Sequence, residues 1–86
     1  MKKFARLLKS DGTAQVLNFS KMPTLKQLQD LVGGYIECVP TRDQKGVLVC
    51  DEEGVLKGKD VNISASILYG YGKISGDVVL LRGWKL

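Results

Sequence analysis

Eighty-six residues, 44% hydrophobic and 26% charged, with two cysteines, exclude a multidomain enzyme, a disulfide-stapled scaffold and a disordered chain, because one domain typically needs roughly 100 residues and this composition is that of an ordinary globular core. The complete lack of histidine also excludes a Ser-His-Asp triad, a Cys-His dyad and imidazole metal ligation. The net charge of +4 is uneven: residues 1–26 carry six Lys or Arg against Asp11 alone, and the remainder carries seven against eight acidic residues. A basic third of this kind attracts polyanions or acidic partner surfaces. Lysines on an exposed strand edge also keep it from pairing with other chains, and on composition alone that edge reading is favoured over nucleic-acid binding.

From the N-terminus, Phe4, Arg6 and Leu8 alternate with Ala5 and Leu7, Asp11-Gly12 interrupts, and Val16, Leu17 and Phe19 follow. The pattern predicts a β-hairpin over residues 1–20, closed by a tight primed turn at Asp-Gly. Met1-Lys2-Lys3 leads into this alternation and not into an apolar signal segment, and no apolar run nears the ~18 residues of a membrane span. No membrane role and a cytoplasmic location are therefore expected.

Over residues 24–34, Thr24 and Gln27 have the spacing of a capping box, and Leu25, Leu28, Leu31 and Val32 recur at helical spacing. Gly33 and Gly34 then stand where a left-handed residue closes a helix. A phosphate cradle would need them at the helix N-terminus, so the pair reads as a helix stop. Residues 35–86 hold the remaining strands: YIECV ended by Pro40, a polar loop TRDQKG, the apolar run VLVC expected at the centre of a sheet, and a DEEG turn with Gly54 left-handed, returning through VLKG. Cys38 and Cys50 would lie on adjacent strands, compatible with a disulfide or with two apolar fillers. The stretch DVNISASIL reads either as a short helical turn capped by Asn62 or Ser64 or as extended chain. GDVVLLRG closes the chain as a buried strand.

Few residues suggest chemistry. Asp51, Glu52, Glu53 and Asp60 lack the order of a calcium loop and read as a solvated turn. Gly70, Gly72 and Gly76 lack the spacing of a dinucleotide loop and precede a strand. An enzyme using Glu37, Asp51 or Asp77 has no supporting constellation. Tyr69, Tyr71 and Trp84 beside Lys73, Arg82 and Lys85 form the most suggestive set, since aromatic faces stack on bases and cations hold phosphates. Their plainer reading is tyrosines sharing a strand face and a Trp that clamps the chain end.

The order LVGGYIE, then DEEG, then VNISASIL, then GKISGDVVLL resembles a family of short domains of unknown function from bacteriophages, mobile elements and large DNA viruses, over residues 24–81. The matching positions are Gly33, Gly34, Tyr35, Glu37, Gly54, Asn62 and Gly76. The resemblance implies a small accessory protein acting in the cytoplasm, that of the host if the source is viral, and it supplies no reaction. The sequence thus leads to a single α+β domain over residues 1–86: an antiparallel sheet of about five strands with one amphipathic helix on a face. The expected role is a non-enzymatic binding module without a cofactor or metal. It is expected to self-associate because one helix leaves the second sheet face bare, or to bind a host or viral protein. Glu37, Asn62, Tyr69, Tyr71 and Trp84 are its candidate contacts, and Gly33, Gly34, Gly54 and Gly76 its structural glycines. The alternative is nucleic-acid or nucleotide binding through Lys2, Lys3, Arg6, Lys9, Lys73 and Arg82 with the aromatic residues.

Overall fold

The computed structural model describes residues 3–84. The hairpin is made of β1 (Phe4–Leu8) and β2 (Ala14–Leu17). Its connection is not the expected two-residue primed turn. Lys9 N donates to Thr13 O (2.8 Å) and Gly12 N to Lys9 O (3.0 Å). Gly12 alone in this loop has positive φ, +93°, which is the signature of a three-residue loop with a glycine bulge. The Asp11 carboxylate stiffens it by accepting from Thr13 N and Oγ1.

Three further strands follow, β3 (Ile36–Pro40), β4 (Gly46–Asp51) and β5 (Val78–Arg82). They join the hairpin in one antiparallel sheet ordered β2-β1-β5-β4-β3. β1, β5 and β4 are interior, which explains why Leu7 and Leu8 are both buried and why VLVC and VVLL read as continuous apolar runs. The topology overturns the edge reading of the N-terminal lysines. Lys3 and Arg6 belong to the interior strand β1 or its approach, while the hairpin's edge strand is Ala14-Gln15-Val16-Leu17, without a charge.

Two helices cover the sheet, one on each face. α1 (Leu25–Val32) starts at the expected capping box, with Thr24 Oγ1 accepting from Gln27 N (3.2 Å) and Gln27 Oε1 from Thr24 N (2.8 Å). It stops at Gly33, whose φ of +78° lets its N–H donate to Gln29 O (2.8 Å). Its Leu28 and Val32 pack on Ala5, Leu7, Val49, Val79 and Leu81. α2 (Ile63–Tyr69) resolves the ambiguous DVNISASIL as helix and presses Ala65 onto Leu8, Leu48, Cys50, Val78 and Leu80 on the opposite face. The α+β antiparallel sheet is as read from sequence, but the single-helix arrangement gives way to two helices. The bare face that motivated self-association does not exist in that form.

Two smaller expectations are corrected. VLKG forms no strand: residues 52–58 make a run of turns with Val55 and Leu56 exposed. Gly54 does not have positive φ. It is there because a Cβ would lie 2.8 Å from Ser75 O, so the loop can sit down on the segment before β5. Cys38 pairs with Val49 and Cys50 with Glu37 across the β3–β4 ladder, so the two side chains point to opposite faces. Both thiols are free, and burial pushes that of Cys50 up to about 11, which makes it an apolar filler.

Asn62 fastens the α2 side. Its side chain is 0% exposed, its Oδ1 accepts from Ala65 N (3.0 Å) as the helix cap, and its Nδ2 donates to Leu8 O (2.8 Å) and Gly76 O (2.9 Å). One amide thereby joins α2, β1 and the turn before β5. Asn62→Ala removes the cap and strands two buried carbonyls. The expected loss is about 3 kcal/mol, read as a lower urea midpoint with unchanged slope, and Asn62→Asp should fare no better, since it keeps the cap but sets a carboxylate against the two carbonyls.

Candidate functional site

Gly33, Gly34 and Gly76 close around one ion cluster built on the buried Asp51. Asp51 is the last residue of β4, and its side chain has no exposed surface. Its Oδ2 accepts from Lys57 and Lys59, both at 2.8 Å, and its Oδ1 from Glu53 N (2.9 Å). The same lysines reach the end of α1. Lys59 Nζ donates to Val32 O (2.8 Å) and Lys57 Nζ lies 3.4 Å from Gly33 O, where a cation satisfies the last carbonyls and the negative end of the helix dipole. Burial by itself would raise the Asp51 carboxyl. The hydrogen bonds from Lys57 and Lys59 outweigh it, so the group is held well below the usual carboxylate range and the Lys57 ammonium above its ordinary value.

The glycine pair belongs to this cluster. Gly33 stops α1, whereas Gly34 keeps an ordinary φ and leaves room: a Cβ on it would meet Lys57 Nζ at 2.5 Å and Asp51 Oδ2 at 2.7 Å. Gly76, at φ +87°, lets Lys59 pass over it. The opening at this end is a cavity of about 420 Å³ between Gln29, Asp30, Gly33, Gly34, Tyr35, Glu53 and Lys57. Its volume is that of a small-molecule site, but no nucleophile with an adjacent base lines it. No group of three His, Cys, Asp or Glu able to hold a metal occurs among the described residues.

The other sequence candidates scatter. Asn62 is enclosed and satisfied within the fold, so it offers no atom to a ligand. Glu37 stands exposed on β3, and with Tyr69 and Lys73 it lines a cleft of about 180 Å³ beside Glu52 and Ser75. Lys73 is therefore apart from the N-terminal bases with which it was grouped. Tyr69 and Tyr71 share no strand. Tyr69 ends α2, Gly70 turns the chain at φ +78°, and the rings meet edge to face with centroids 5.6 Å apart. Trp84 lies partly buried against the α1 side, its Nε1 donating to Phe4 O (3.2 Å) and Lys3 Nζ 5.1 Å from the ring centre. Arg6 sits over the Phe4 ring, and Arg82 is paired with Asp43 at 3.2 Å. Lys9 flanks the hairpin loop, and Lys2 and Lys85 lie outside the described residues. Asp77 accepts from Ser10 N (3.0 Å) and ties the hairpin loop to β5.

Two features escaped the sequence reading. Lys57 and Lys59 are two residues apart after an acidic turn, a spacing that allows both to reach one carboxylate. Ile63 and Ile67, four apart, are 64% and 71% exposed on the outer side of α2. The spacing was visible, but it has meaning only once the segment is known to be a helix with its other side on the sheet.

The ion cluster yields an acid-stability prediction. Because the folded-state pKa of Asp51 is depressed, its contribution is complete above the unfolded value of about 3.9 and is lost as pH falls below it. Asp51→Asn is expected to cost about 2 kcal/mol at neutral pH. The gap from the wild type should close as denaturation is repeated at lower pH, from roughly 5 down to 2.

A family model described as a domain of unknown function, DUF3846, matches residues 1–84. No curated protein and no solved structure matches the chain.

Proposed function

The chain belongs to the DUF3846 family, and we propose that this member is a non-enzymatic, self-associating interaction module acting in the cytoplasm, an accessory protein of a virus, phage or mobile element. The source rests on the sequence resemblance alone. The interaction reading is carried by one observation: α2 is apolar on both sides. Its inner side supplies Ala65 and Leu68 to the core, and its outer side presents Ile63 and Ile67 to solvent. A helix apolar all round is characteristically buried, and this one is buried only on one side.

A second copy of the chain is the occupant that fits. The seven residues ISASILY carry no charge in a chain of net charge +4 that is 26% charged, so two copies approach here without a like-charge contact. Antiparallel packing about a two-fold axis sets Ile63 of one copy against Ile67 of the other, the self-complementary arrangement of an isologous interface. Ser64 permits close approach. Four isoleucines buried at about 1.5 to 3 kcal/mol each offset association costs of roughly 4 to 15 kcal/mol, which places the dimer at micromolar or weaker affinity. Self-association is thus proposed from a different cause than a bare sheet face: the exposed surface belongs to the helix that covers the sheet.

Sedimentation velocity over roughly 10 to 200 µM, a range suited to micromolar affinity, should show a monomer–dimer equilibrium. Ile67→Lys should shift it at least tenfold toward monomer with an unchanged far-UV spectrum, since Ile67 makes no core contact. A wild-type chain that is monomeric throughout, or an Ile67→Lys chain that dimerises equally well, overturns the proposal.

A further inference from the structure

The strand register sorts the charges of this molecule to opposite ends of the sheet. Phe4 pairs with Arg82, Gly46 with Arg82, Pro40 with Val47 and Ala5 with Leu17. Segments 3–4, 18–22, 41–46 and 82–84 therefore meet at one end. They carry five cations, Lys3, Lys21, Arg42, Lys45 and Arg82, against the single carboxylate of Asp43. Segments 9–13, 51–60 and 76–77 meet at the other end and carry three cations against six carboxylates. The basic third noticed in the sequence is thus only part of a basic end, completed by the β3–β4 turn and the close of β5.

Two aromatic rings are at this basic end, each beside a cation: Lys3 over Trp84 at 5.1 Å, and Arg42 over Tyr71 at 5.8 Å. Arg42 is held there by its own backbone, whose N–H donates to Leu68 O at the end of α2 (2.8 Å). The turn that carries Arg42 is built to a fixed shape. Thr41 is 1% exposed, accepts from Gly46 N (3.1 Å) and donates to Asp43 (2.6 Å), while Gln44 adopts a left-handed φ of +62°. Asp43 is occupied by Thr41, the Lys45 N–H and Arg82, so the one carboxylate present serves to brace the turn. Beside Trp84, a groove of about 360 Å³ is lined by Lys3, Ser20, Lys21, Met22 and Gly83, with no acidic residue.

We propose that this end of the sheet binds single-stranded nucleic acid, with Trp84 and Tyr71 as stacking faces for bases and Lys3, Lys21, Arg42 and Lys45 as phosphate contacts. Cations beside aromatic rings, here an exposed Tyr71 and a partly buried Trp84, with no sequence-reading groove, are the recognition chemistry of an unpaired strand. The bare cations would serve any polyanion; the rings select for bases. The surface adjoins the C-terminus of α2 through Arg42 and Tyr71, so Ile67→Lys, which removes neither, separates this proposal from self-association.

Trp84 is the only tryptophan, so its fluorescence reports on the site directly. Titration with a twelve-nucleotide oligothymidylate at low salt should quench it. If about four phosphates are neutralised, affinity should fall roughly 50-fold between about 50 and 200 mM salt. Arg42→Glu with Lys45→Glu, both at exposed positions, should weaken binding at least tenfold, whereas Lys9→Glu, in the hairpin loop at the opposite end of the sheet, should not. Absence of binding at low salt overturns the proposal. Equal affinity for inorganic polyphosphate overturns the assignment to nucleic acid, and equal weakening by Lys9→Glu overturns its placement at this end.

Discussion

A carboxylate with no exposed surface governs how this chain closes up. Asp51 ends the central strand β4, and its two oxygens draw Lys57, Lys59 and the Glu53 amide around it. Once these bonds are made, the whole 51–60 excursion is folded back against the C-terminus of α1. The lysines also quench the carbonyls that the helix leaves open. Isolated in an apolar core, such a carboxylate would be expensive. With two ammonium groups and a backbone N–H it is fully satisfied, and among the described residues no buried side-chain polar atom lacks a partner. The ion cluster also delivers the chain to Asp60 and Asn62, so the second helix starts where Asn62 can reach both β1 and Gly76.

The two faces of the sheet are therefore secured by different chemistry. On one side α1 is pinned at its C-terminus by ions. On the other, α2 is pinned at its N-terminus by a neutral amide that makes three buried hydrogen bonds. Both fasteners lie at the same end of the sheet, where Leu8 pairs with Val78 and Asp51 with Ile36. That end carries the acidic excess. The opposite end carries few internal ties besides the Thr41 turn and the Trp84–Phe4 bond, and it is there that cations and rings face outward. A surface that need not hold the fold together is free to bind something else.

Much of this was legible in residues whose pattern has one physical solution. Thr24 with Gln27, and Gly33 after Val32, admit little besides a capped helix, and the continuous apolar runs VLVC and VVLL had to be interior strands. DVNISASIL was not legible, because seven residues with two serines between apolar side chains satisfy neither period cleanly; tertiary contacts from Asn62 decide it. Gly54 looked like a turn glycine and is instead a clearance glycine, a distinction that depends on Ser75, some twenty residues away in sequence. Charge was the least legible property. The basic third was visible at once, but Arg42, Lys45 and Arg82 join it only through the register, and Lys73 lines a cleft with Glu37 and Tyr69 instead.

The exposed surfaces also explain why a reaction is hard to place on this molecule. Catalysis needs a base, an acid and a stabilising donor converging on one cavity, usually with shifted pKa values. Here the strongly shifted carboxylate, Asp51, is walled in by its own lysines, and Asp77 holds the hairpin loop. Glu37, the remaining candidate, stands exposed at a strand edge. The ionisable groups that stabilise the fold are consumed in doing so, and of those left over Glu37, Glu52 and Lys73 line one small cleft with Tyr69. What remains at the surface is an uncharged helix face and a cationic end with aromatic rings beside it.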